Sequence, residues 1–71
     1  MKEYYYFFSS ITTAMRGEAV LKNNGYHAFV FRDGTINTHG CGYIIKVKGE
    51  EEKITPLLLK AGVRFNEVRE V

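Results

Sequence analysis

Segments of strand and helix period follow one another in the order strand, helix, strand, strand, helix, strand, and that order predicts an α+β domain. The arrangement expected is a ferredoxin-like βαββαβ two-layer sandwich with a four-stranded antiparallel sheet. Three observations carry the prediction. The chain opens on an aromatic run, Glu3 to Phe8, which suits a strand buried on both faces better than a helix. Two stretches of helical spacing each end at a glycine, and residues 41 to 48 alternate with a period of two.

Taken in order, the elements justify themselves as follows. After the first strand, Ser9 or Ser10 can cap a helix whose Ala14, Gly17, Val20 and Leu21 fall on one side. Asn23-Asn24-Gly25 stops it, with Gly25 where the backbone turns left-handed. Tyr26 to Phe31 reads as the second strand, and Arg32-Asp33-Gly34-Thr35 as a turn built on Asp-Gly. In the third strand Cys41, Tyr43, Ile45 and Val47 point one way, and Gly42, Ile44, Lys46 and Lys48 the other. Glu50, Glu51 and Glu52 suit a helix start, where carboxylates complement the positive end of the dipole, and Ile54, Leu57, Leu58 and Ala61 make the buried stripe. Pro56 leaves two options: the helix bends there, or it restarts with Thr55 as cap and Pro56 in first position. Gly62 ends it, and Val63 to Val68 is the last strand.

A chain of 71 residues fits a single domain over residues 1–71 with one modest core. One cysteine cannot close a disulfide within the chain, and cysteine and histidine are too few for a structural zinc site, so neither metal nor cofactor is expected. No secretion signal and no apolar run of membrane-spanning length is visible, so the expected setting is cytoplasmic, reducing and away from the membrane. Ten basic against eight acidic residues leave a net charge of +2, spread along the chain, which argues against nucleic acid because phosphate binding depends on concentrated positive charge.

Chemistry concentrates at Cys41, held between glycines in Thr38-His39-Gly40-Cys41-Gly42. In the expected topology the third strand runs against the first, so its start meets the end of the first strand. That sets Cys41 beside Ser9, Ser10 and the opening turn of the first helix. Free amides there favour a thiolate over a thiol, and helix amino termini are among the settings that lower the ordinary cysteine pKa of about 8.5. His39 is a possible assistant, and Ser9, Ser10 and Thr12 could hold a small anion such as sulfate or selenite. The other fate open to Cys41 is that of a small buried hydrophobe.

The span from Tyr4 through Val68 resembles a family of small bacterial proteins described as selenium or sulfur carrier-like. The likeness rests on the strand leading into Ser9-Ser10-Ile11-Thr12-Thr13-Ala14, on Gly17-Glu18-Ala19-Val20-Leu21-Lys22-Asn23-Asn24-Gly25 as a helix, glycine and strand unit, on Leu57-Leu58-Leu59-Lys60-Ala61-Gly62-Val63, and above all on Gly40-Cys41-Gly42 entering the third strand. The chain departs from the family's pattern in Thr38-His39-Gly40 and in Gly17 within the first helix. The resemblance implies a carrier that takes sulfur or selenium on a cysteine, as persulfide or selenosulfide, and passes it on. By matched position that role falls to Cys41, with a cysteine desulfurase or a protein of selenium metabolism as partner.

Other readings use the same elements. Absence of a second cysteine disfavours a self-contained dithiol enzyme and a Cys-x-x-Cys copper site, so a carrier or binding protein is expected before an enzyme. An RNA-recognition module shares the strand order, but Gly25-Tyr26-His27-Ala28-Phe29-Val30-Phe31 matches its aromatic signature out of step and on the wrong strand. Acylphosphatase-like hydrolysis needs an arginine in the loop after the first strand; here the first arginine is Arg16, inside the helix. The alternative is a non-catalytic interaction module, for dimerisation or as an adaptor. Tyr5 and Phe7 project opposite to Tyr4, Tyr6 and Phe8, and Phe29 and Phe31 opposite to Ala28 and Val30, so the open face of the sheet is apolar and a homodimer is expected through it. His27 is expected as a half-buried packing residue and Glu50 to Glu52 as a solvated helix start.

Overall fold

Alternation decides the first strand. In a computed structural model of the chain, which describes residues 2–33 and 42–71, β1 (Glu3–Phe8) buries Tyr4, Tyr6 and Phe8 and turns Glu3, Tyr5 and Phe7 to the other face. Ser10 then caps α1 (Ile11–Asn23) from an extended conformation, its hydroxyl oxygen accepting from the Thr13 amide at 3.5 Å. Ala14, Gly17 and Leu21 are the buried positions of α1, with Val20 half-buried beside them. Gly25, at φ 86°, takes the left-handed conformation that ends the helix.

The remaining strands are β2 (Ala28–Asp33), β3 (Gly42–Lys48) and β4 (Glu67–Glu70), with α2 (Glu51–Lys60) between the last two. Sheet order is β2-β3-β1-β4 with every neighbouring pair antiparallel, which is the ferredoxin-like α+β fold. Both helices lie on one face. Between them and the sheet the core closes from Tyr4, Tyr6, Phe8, Ala28, Ile45 and Val47 on the strands and Ala14, Leu21, Ile54 and Leu58 on the helices. Gly17 lets α1 sit close: a Cβ there would stand 3.0 Å from the Ile45 side chain and 3.2 Å from that of Val63.

Boundaries differ from the sequence expectation at both ends of β2 and at β4, and β2 runs on to Asp33 through the Arg32 and Asp33 expected in the turn. Strand β2 begins at Ala28 and not Tyr26, because Tyr26 packs over Gly49, whose φ of 154° and lack of a side chain admit the tyrosine ring. The last strand is Glu67–Glu70 and not Val63–Val68: Val63 is fully buried and Phe65 packs edge-on against Tyr6 at 4.9 Å, so both fill the core from the connection that precedes β4. Helix α2 runs through Pro56 without restarting. Its cap is Glu50, and the Thr55 hydroxyl is engaged with the Tyr6 hydroxyl at 2.8 Å. Ala61, expected in the buried stripe, is exposed just beyond the last turn.

Candidate functional site

Two features stand at opposite ends of the chemistry expected of the chain: the amino terminus of α1 and the open face of the sheet. At the first, the backbone of β1 delivers Ser9 and Ser10 into the helix, and the Ala14 amide closes the first turn on the Ser10 carbonyl at 3.0 Å. The first turn of α1 carries no acidic residue, whereas that of α2 carries Glu51 and Glu52. The positive end of the α1 dipole is therefore left uncompensated within its own first turn, while carboxylates balance that of α2. Register supplies the other half of the arrangement. Phe8 pairs with Tyr43, so Gly42 opens β3 one step beyond that pair, at the end of the sheet where Ser9 and Ser10 lead into α1.

Of the residues singled out in the sequence, Ser10 is the half-buried cap of α1, and Ser9 and Thr12 are exposed beside it. Because the Ser10 oxygen already accepts from the Thr13 amide, it orders the turn and leaves its own O–H as the group available to an incoming acceptor. Cys41 and His39 lie outside the described residues. Among the described residues no group of three or more His, Cys, Asp or Glu is placed to hold a metal ion. No helix among them is long and apolar enough to cross a membrane.

No family model and no curated protein matches the chain.

The open face reads as a grid set by the strand register. One row across the sheet is Phe31, Ile44, Phe7 and Glu67, and the next is Phe29, Lys46, Tyr5 and Arg69. Tyr5 and Phe31 meet edge to face at 5.9 Å, reaching across β3. These aromatic side chains shelter Ile44, which is only 3% exposed although it faces away from the helices. Phe29 and Phe31 stay 63% and 41% exposed. Two of the cations on the face have acidic partners within the chain: Lys46 lies 3.9 Å from Glu3 and Arg69 pairs with Glu67, while the Arg69 guanidinium also sits over the Phe7 ring at 5.4 Å.

His27, expected half-buried, is exposed because the start of β2 falls after it; with Glu3, Phe29, Lys46 and Lys48 it rims a shallow recess of about 260 Å³. The sequence reading passed over two partnerships. The Glu18 carboxylate accepts from the Val30 amide at 3.3 Å while Lys22 stands 3.5 Å from it, so α1 reaches over to close part of the outer edge of β2. Its signal was present, since Glu18 is one residue from buried Gly17 and three from buried Leu21 and so borders the packed stripe. The Tyr6 to Thr55 bond had no local signal, its partners being 49 residues apart.

Proposed function

We propose that the protein is a sulfur or selenium carrier that holds the chalcogen on Cys41 in a reducing, cytoplasmic setting. The observation that carries this reading is the alignment of the β3 start with the uncompensated amino terminus of α1: Gly42, the next residue after Cys41, opens its strand at that end of the sheet. A thiol near those amides gains thiolate character at neutral pH. In the sequence Cys41 is flanked by Gly40 and Gly42, neither of which has a side chain to hinder a bulky donor. The chemistry is one exchange. The Cys41 thiolate attacks the outer sulfur of a donor persulfide, a new S–S bond forms on Cys41, the donor's S–S bond breaks, and the donor leaves as thiolate. With a selenosulfide donor the outer selenium is transferred in the same way. A cysteine desulfurase supplies such a donor, and an acceptor thiolate later removes the outer atom. Ser9, Ser10 and Thr12, with His39, are the groups proposed to steady the charge.

The test is persulfide loading. Incubated with a cysteine desulfurase and free cysteine, the wild-type protein should gain the mass of one sulfur atom, removable by a reductant. Cys41→Ser should keep its circular dichroism and gain nothing. Wild-type protein that stays unlabelled while Cys41 is free for alkylation would end the carrier reading.

A second reading, a non-catalytic interaction module, is favoured by a separate observation: the apolar sheet face with Phe29 and Phe31 exposed. The two readings are compatible, because a carrier must also dock.

A further inference from the structure

The open face of the sheet deepens the docking reading, independently of any thiol chemistry, because its composition says what covers it. It holds Tyr5, Phe7, Phe29, Phe31 and Ile44 in two adjoining rows, and the largest exposures are those of Phe29 at 63% and Phe31 at 41%. Contiguous apolar surface of this kind marks an interaction site. We propose that two copies of this chain associate through this face, sheet against sheet, in a two-fold symmetric dimer.

Charge selects a second copy over other occupants. Two cations on the face are matched by acids, Lys46 by Glu3 on the adjacent β1 at 3.9 Å and Arg69 by Glu67 on its own strand, and Lys48 stands opposite Glu3 in the register. A nucleic acid or an anionic membrane is held by surplus positive charge, and here Glu3 and Glu67 would meet its phosphates. A two-fold contact places the same patch on both partners, so it tolerates a patch of balanced sign and would be repelled by one of single sign.

Size agrees with charge. The Cα envelope measures 31 × 23 × 16 Å, so its broad face projects to roughly 700 Å² on each copy, the same order as the ~800 Å² per partner of a standard stable interface. Edge pairing is the competing route for a sheet to find a copy of itself, and this sheet resists it at both sides. Glu18 occupies the Val30 amide on the β2 edge, and β4 is four residues long with the sequence Glu-Val-Arg-Glu. What remains is the face, where stacked sheets lie ~10 Å apart with their strands aligned or crossed.

Sedimentation equilibrium tests this directly. Wild-type protein should run at twice its 8.2 kDa at micromolar concentrations. Phe29→Glu and, separately, Phe31→Lys should run as monomers with unchanged far-ultraviolet circular dichroism, since both side chains are exposed in one copy. Leu59→Glu, at an exposed position of α2 in the opposite layer, should remain dimeric. Wild-type protein at 8.2 kDa at every concentration overturns the proposal, as does a dimer that survives both face substitutions or one that Leu59→Glu dissociates. A monomer that pellets with anionic vesicles or is retained by single-stranded RNA would give the face to that ligand and overturn it as well. Persulfide loading of the Phe29→Glu monomer is a separate readout, so loss of the dimer and loss of the carrier chemistry are told apart.

Discussion

Tyr6 joins the two layers with one side chain. Its ring is fully buried, with Phe65 against it edge-on, and its hydroxyl meets Thr55 on α2 at 2.8 Å. Burial raises its pKa above the ordinary 10.0; the bond to Thr55 lowers it in part, and Glu51 and Tyr4 add to the rise. The sign for stability follows. Below pH 10 folded and unfolded chains both hold the phenolic proton, so nothing changes; as pH climbs past the ordinary tyrosine value the unfolded chain releases it first, and the folded state loses stability. Tyr6→Phe should therefore cost about 1 kcal/mol at neutral pH through the lost hydrogen bond. It should also flatten the fall in stability above pH 10. Urea midpoints across a pH series measure both, and an alkaline limb equally steep in the variant would show that Tyr6 is not the group responsible.

At the scale of elements, period was legible and boundaries were not. The aromatic alternation of β1 and the stripes of α1 and α2 were readable because each is set by local geometry, and Ser10, Gly25 and Gly62 punctuated them as expected. Strand β4 was misplaced because the apolar signal sits outside it. Val63 and Phe65 plug the core from the connection, while the strand itself needs only Val68 turned inward. Edge protection was only half legible: Glu18 borders the packed stripe of α1, but the amide it meets lies 12 residues away on another element. That contact makes an element-scale prediction. Glu18→Ala should uncover the Val30 amide and speed its hydrogen exchange well beyond that of the other β2 amides, while Glu18→Gln, which keeps an acceptor oxygen, should restore protection. Equal exchange at Val30 in all three proteins would mean that the carboxylate does not guard the edge.

Across the whole molecule, the topology that the sequence pattern implied brings the α1 amino terminus and the β3 start to one end of the sheet and leaves an aromatic face on the other side of the strands from the helices. The aromatic face was legible, because alternation alone sorts Tyr5, Phe7, Phe29 and Phe31 onto one side; that Ile44 is buried there was not, because its cover comes from the two strands that flank it, β1 and β2. Cys41 and His39 lie outside the described residues. Size then links the face to stability. A chain of 71 residues buries a smaller fraction of its surface than a larger domain does, and with a single cysteine no internal disulfide makes up the difference. If two copies fold as one unit, mass action couples stability to concentration: each tenfold rise in protein adds about 1.4 kcal/mol per dimer, about 0.7 kcal/mol per chain. For a domain of this length that moves the thermal midpoint upward by roughly 3–5 °C. Wild-type protein melted at a series of concentrations should show that climb, and Phe29→Glu should melt at one temperature throughout. A wild-type midpoint that does not depend on concentration would mean that each copy is stable alone and that the sheet face contributes nothing to holding the fold.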